Sequence, residues 1–225
     1  MRVIPNMIMN DFSTKSEQEQ WIYGEKVVVC MGRLHPVKQQ ERIIRAFSYT
    51  CKKEPDAILI ILGKGEQLRY LKKVSESCHI EDRVFFMGFT NDISYYLRHA
   101  RVFVMASKVE CFPNSILEAM HFGLPVITTD SPGGCREIIG KTENTNKVDS
   151  IMFCKYGILT PAMPDEKLQE SQPLIEQEIE LGKAMLKVLT DDEIYENYRE
   201  RSLKRAQIYS LDRVIRKWNC LINSR

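Results

Sequence analysis

No run of apolar residues in this 225-residue sequence approaches the ~20 positions a helix needs to cross a bilayer. The first twenty residues, MRVIPNMIMNDFSTKSEQEQ, also lack the apolar block and cleavage site of a secretory leader. Charge of one sign is missing too. Lys and Arg total 32, Asp and Glu total 30, and the two signs are well mixed, leaving a net charge of +2. Nucleic acid as main partner would require a concentrated basic face, so it is excluded as an expectation. The seven cysteines (30, 51, 78, 111, 135, 154 and 220) are odd in number and scattered, with no C-x-x-C pair. Several lie in apolar runs such as VVVCM, where a free thiol behaves as a small hydrophobe. This usage predicts reduced thiols and a cytoplasmic protein.

Familiar catalytic signatures are absent as well. There is no Walker sequence and no G-x-S-x-G elbow. The four histidines (35, 79, 99 and 121) show neither metal-ligand spacing nor an H-E-x-x-H pattern. No D-x-D pair is present to hold a divalent ion against a diphosphate. The expectation is therefore no metal and no cofactor, with any phosphate charge met by Arg, Lys and helix dipole.

What the sequence does hold is an ordinary globular composition, 44% apolar and 28% charged, long enough for one large domain or two small ones. Short β-branched and aromatic runs recur at KVVVCMG (26–32), AILIILG (57–63), RVFFMG (83–88), RVFVMA (101–106) and LPVITT (124–129). A weaker one is YGILTP (156–161). They are continuous rather than alternating, as in strands buried on both faces of a parallel sheet. Helical patterns fall between them at 38–53, 66–78, 91–99 and 114–122. Such alternation predicts an α/β fold, a Rossmann-like doubly wound parallel sheet. Residues 165–225 read as helices, and the polar stretch 140–150 as a mobile surface loop.

In open α/β sheets, ligands bind beyond the carboxyl ends of the strands, so residues just after strands are the candidates. Gly32-Arg33-Leu34 follows the first strand and Lys38 comes five residues after Arg33. Two cations beside a helix start could clamp a phosphate pair, though a turn glycine with two solvated cations has the same spacing. Gly63-Lys64-Gly65 begins like a dinucleotide fingerprint, but Leu68 stands where the third glycine belongs. A tight strand-to-helix turn fits it better. In SKVECFPNSILEAMHFGLPVITTD (107–130), Glu110 lies in the loop after a strand, and Pro113-Asn114-Ser115 opens a helix. Glu118 lies one turn inside that helix. Two carboxylates bracketing an anion-binding helix end suit a ligand with phosphates in the middle and hydroxyls at both ends. A satisfied structural Glu is the bland alternative.

Taken in order, these segments resemble the C-terminal, donor-binding domain of family-4 glycosyltransferases with the GT-B fold, the glycosyl transferases group 1. VIPN (3–6) matches the connector into that domain, GRLHPVKQQERIIRAF its first loop and helix, and AILIILGKGEQLRYL its second strand and turn. The stretch from VFFMGF to GGCREII holds the E-x7-E signature, and YSLDRVIRKWNCLI matches the closing helix. The resemblance implies a connector over 1–20 and a nucleotide-sugar-binding domain over 21–225. It implies that Arg33 and Lys38, beside Gly32, neutralise the donor diphosphate, that Glu110 holds the transferred sugar and that Glu118 holds the ribose hydroxyls. Backbone amides of Asn114, Ser115, Ile116 and Leu117 would add contacts, Gly63 would lie at the ligand, and the strand end with Phe86 would meet the base. Cys111 and Gln39 stand where the family has glycine.

The implied activity is metal-independent, retaining transfer of a hexose-type sugar to a polysaccharide or glycolipid acceptor. The implied partners are a nucleotide sugar and a glycan or lipid-linked acceptor, the latter held by an N-terminal domain outside this sequence. Without that domain the 225 residues are expected to be inactive. The full-length protein would associate peripherally with the inner face of the cell membrane. A non-catalytic nucleotide-sugar-binding module is the competing reading, and a nicotinamide-dependent oxidoreductase a third.

Overall fold

A strand that turns successive side chains to opposite faces, yet is apolar at every position, has to be covered on both sides. The computed structural model, which describes residues 26–140, 147–166 and 172–223, shows how this chain does so. The expected connector over 1–20 and most of the polar 140–150 stretch lie outside the described residues.

Seven strands form one sheet: β1 (Val27–Met31), β2 (Ile58–Leu62), β3 (Val84–Gly88), β4 (Val102–Met105), β5 (Val126–Thr129), β6 (Met152–Phe153) and β7 (Ile158–Thr160). Their order is β3-β2-β1-β4-β5-β7-β6, with every pairing parallel except β6 with β7. The chain walks outward from β1 to β3, then returns to the other side of β1 for β4. The strand order therefore reverses between β1 and β4, and a crevice opens at the carboxyl ends there. The helices are α1 (Gln40–Cys51), α2 (Leu68–Ser77), α3 (Ile93–His99), α4 (Asn114–His121), α5 (Cys135–Ile138), α6 (Glu176–Thr190), α7 (Asp192–Ile208) and α8 (Leu211–Ile222). The short α5 and the antiparallel edge strand β6 were not expected: four residues and two residues respectively carry too little periodicity to read.

Burial alternates strictly between the faces. Val28, Cys30, Leu59 and Ile61 pack with Phe47 of α1 and with Leu181 and Met185 of α6. Val29, Ile60, Leu62 and Phe103 pack with Leu97 of α3 and with Ile116 and Met120 of α4. All seven cysteines are free, and burial pushes the Cys30 thiol up to about 12. Among the described residues no helix is long and apolar enough to cross a membrane.

The helical tail is tied back to the first crossover by buried charge. Glu178, fully buried on α6, accepts from Arg42 Nη1 and Arg45 Nε of α1, both at 2.9 Å. Its second oxygen accepts from the amide of Ile175 at 3.1 Å. The two guanidinium groups also donate to the carbonyls of Glu166, Gln172 and Pro173, at 2.8–2.9 Å. Further on, α8 carries an apolar stripe: Val214 is buried, whereas Ile215, Trp218 and Ile222 are exposed, Trp218 by 50%.

Removing one member of a buried ion cluster strands the others. Glu178→Ala is expected to destabilise the chain by about 3–5 kcal/mol. Glu200→Ala, which breaks an exposed pair with Lys204, should cost at most about 1 kcal/mol. Urea unfolding of the two variants checks this.

Candidate functional site

At the point where strand order reverses, the loops after β1, β2, β3 and β4 enclose a cleft of about 670 Å³. Its lining includes Gly32, Arg33, Lys38, Gly63, Lys64, Phe89, Glu110, Asn114, Ser115 and Glu118.

Backbone meets backbone at two places to build it. Gly63 has φ +139°, and a Cβ there would sit 1.9 Å from the carbonyl oxygen of Gly32. The loops after β1 and β2 are thus held together without side chains, with amides of Gly32 and Leu34 donating to the carbonyls of Leu62 and Lys64 at 2.9 and 3.0 Å. The second place is Gly133 (φ +113°), where a Cβ would fall 1.6 Å from the carbonyl oxygen of Glu110. Here the amide of Glu110 donates to Pro132, and that of Gly134 to Glu110, at 3.1 and 3.0 Å. The loop Ser131-Pro132-Gly133-Gly134 therefore fixes where Glu110 stands.

Lys38 does not open α1, contrary to the helix expected over 38–53. It ends a separate 3-10 turn over Pro36–Lys38, capped by His35, whose Nδ1 accepts from the amide of Val37 at 3.2 Å. Gln39 follows with φ 48°, ψ 38°, the left-handed region, and α1 begins after it. Gln39 thus adopts the conformation that its expected glycine would allow freely. It is buried, and its Nε2 donates to the carbonyl of Pro164 at 3.2 Å. Next to it, Gln40 Nε2 donates to the carbonyl of Arg33 at 3.0 Å. The stem of Lys38 lies over Gly32, and its ammonium pairs with Glu110 Oε1.

The two remaining charges differ. The side chain of Arg33 is exposed, and among the described residues it has no hydrogen bond or ion pair. Glu118 is half-buried and also has no hydrogen bond or ion pair among the described residues, and burial pushes its carboxyl up from the usual range. Asn114 and Ser115 line the cleft at the start of α4. The side chains of Ile116 and Leu117 are buried in the core, so only backbone could be offered there, and the amide of Ile116 already donates to Pro113 at 3.2 Å.

Phe86 is not at the cleft. Its position in β3 turns it to the face packed by α1 and α6. Phe89, just past Gly88, lines the cleft instead; it is 67% exposed, with Lys64 Nζ 5.2 Å from its ring centroid. A large exposed aromatic just past a strand-ending glycine was the available signal. Cys111 sits in unstrained backbone with an exposed side chain outside the cleft lining, so the absent glycine is accommodated locally. The pairing of Lys38 with Glu110 and the role of Gly133 had no signature of their own, because both arise from residues far apart in sequence.

Comparison with known proteins places this geometry. The sequence profile of the glycosyl transferases group 1 matches residues 11–150. An uncharacterized glycosyltransferase of Methanocaldococcus jannaschii is 32% identical over 232 residues, covering 98% of this chain and 57% of that protein. The N-acetylgalactosamine-N,N'-diacetylbacillosaminyl-diphospho-undecaprenol 4-alpha-N-acetylgalactosaminyltransferase of Campylobacter jejuni is 24% identical, covering 85% and 45%. The chain thus spans about half the length of these relatives. Among solved structures, the pneumococcal O-GlcNAc transferase GtfA in complex with UDP and GlcNAc shares the fold, with a TM-score of 0.70 at 20% identity, covering 98% of this chain and 38% of that one. The chain belongs to the glycosyl transferases group 1, and its sheet is the Rossmann-like half of a GT-B fold.

Proposed function

We propose that this chain is the donor-binding, C-terminal half of a retaining, family-4 glycosyltransferase, which moves a hexose-type sugar from a nucleotide diphosphate to a glycan or lipid-linked acceptor. The observation that carries the reading is Glu118, a half-buried carboxylate with no protein partner among the described residues, facing a cleft whose other charges are Arg33, Lys38, Lys64 and Glu110. An unpartnered, desolvated carboxylate lowers stability, so its place in a cleft points to a ligand that supplies the missing donors. The paired hydroxyls of a ribose suit it. Arg33 and Lys38 then take the diphosphate, Glu110 the sugar, and Phe89 with Gly63 the base end. The relatives support the acceptor class: the enzyme of Campylobacter jejuni acts on a diphospho-undecaprenol lipid.

Chemically, departure of a diphosphate leaves charge on its oxygens. Cations already in place stabilise that charge as it develops. Arg33 and Lys38 supply this without a metal. At the open face of the cleft Arg33, Lys64 and Phe89 meet solvent, and the acceptor would be held there by an N-terminal domain. Holding the acceptor within ~3–3.5 Å of the reacting carbon contributes about 7–11 kcal/mol to such a reaction.

Three outcomes are expected. Glu118→Ala should weaken nucleoside diphosphate binding by about 1.5–3 kcal/mol, and Arg33→Ala should cost the diphosphate more than the monophosphate, with magnesium changing neither. Titration calorimetry measures both; unchanged affinities would remove the assignment. The second outcome concerns pH. Because burial raises the folded-state pKa of Glu118, its protonated form favours folding, and that contribution is lost as pH rises through the raised value. Glu118→Gln should therefore melt higher than the parent at neutral pH, the difference closing on acidification, while binding the diphosphate less well. Third, the 225 residues should bind donor yet transfer no sugar in a radiolabelled-donor assay with mixed acceptors. Robust transfer would overturn the half-enzyme reading.

A further inference from the structure

Lys38 and Glu110, the two groups assigned above to different parts of the donor, are bound to each other. Both side chains are largely withdrawn from water, at 28% and 13% exposure. Neither is a drifting surface charge. Glu110 is fixed through its backbone to the Pro132–Gly134 loop, and Lys38 ends a capped turn locked by Gln39. Among the described residues neither side chain has another hydrogen-bond or ion-pair partner. Arg33 lines the same cleft and has no hydrogen-bond or ion-pair partner through its side chain among the described residues.

We propose that the Lys38–Glu110 pair makes the cleft discriminate against bare nucleoside diphosphate, and so favours release of that product once the sugar has gone. The inference rests on the donor-binding reading above. A diphosphate can engage Lys38 only by drawing it from Glu110. Separating a desolvated pair is costly, because the carboxylate left behind is uncompensated and now lies close to a second anion. A ligand that carries a sugar removes this penalty: its hydroxyls donate to Glu110 and replace the ammonium group, so both charges end with partners. A bare diphosphate has nothing to offer Glu110. Discrimination thus comes from an unpaired charge in the wrong complex as well as from contacts in the right one.

The same pair acts after transfer. The hydroxyl donors depart with the sugar, Glu110 recovers Lys38, and the diphosphate is left with one cation fewer. Glu118 cannot serve this way, since it has no cation to surrender.

The test is titration calorimetry on this chain with uridine, guanosine and adenosine diphosphates and their glucose conjugates, following the pair that binds best. Glu110→Gln keeps the side-chain shape and frees Lys38. It is expected to tighten the bare diphosphate by about fivefold to tenfold and to lower the preference for the conjugate. In a Lys38→Met background, the same Glu110→Gln change should move bare diphosphate affinity less than about twofold, since there is no pair left to break. A Glu110→Gln protein that melts like the parent and binds bare diphosphate no better would overturn the inference and leave the donor-binding reading standing. Should Glu110→Gln fail to fold, Lys38→Met decides on its own: because separating the pair offsets what Lys38 gives the diphosphate, it should weaken bare diphosphate binding by less than about threefold, and a loss as large as that of Arg33→Ala overturns the inference. If the parent binds no nucleoside diphosphate at all, both readings fall.

Discussion

The cleft depends on how closely one strand-end loop approaches the next. At Gly63 and at Gly133 the distance is too short for any side chain, and the carbonyl oxygens of Gly32 and Glu110 occupy the space a Cβ would need. Loops normally shift more readily than the elements they join. Here hydrogen bonds between main chains turn four loops into a continuous rim. The backbone positions of the charged residues on that rim inherit its rigidity, which fixes where each side chain starts.

On this rim the charges fall into two kinds. Lys38 and Glu110 satisfy each other, while Arg33 and Glu118 are left with no protein partner among the described residues. The first kind adds little electrostatic cost to the fold. The second leaves standing demand for a ligand. A site built only of the first would bind weakly, and one built only of the second would burden the fold.

Much of this was legible in the sequence. Continuous β-branched runs separated by helical periodicity give a two-face-covered parallel sheet almost by necessity, and Gly32, Arg33 and Gly63 fell just past a strand. The E-x7-E spacing reads as loop and helix because Pro113 marks the boundary between them. Phe86 was mistaken for a cleft residue because parity along β3 cannot be assigned until one knows which helices cover which face. Phe89, three residues on, lies past the strand and escapes that parity. The 3-10 turn at Lys38 was hidden inside a helical pattern, since Gln39 gives no sign of left-handed backbone. The cluster around Glu178 joins residues more than 130 positions apart, and no local pattern announces such a contact.

That cluster also sets how far the domain can be divided. Arg42 and Arg45 sit on the helix that follows Lys38, and their guanidinium groups hold Glu178 together with the carbonyls of Glu166, Gln172 and Pro173. Gln39, on the turn itself, holds Pro164. The final third of the chain therefore acts as a keel beneath the first loop of the cleft, although none of its described residues lines the cleft. Grafting experiments among related chains should respect this: strand-end loops can be exchanged as rim pieces, but α1 and the 164–178 segment have to travel together as one inherited unit.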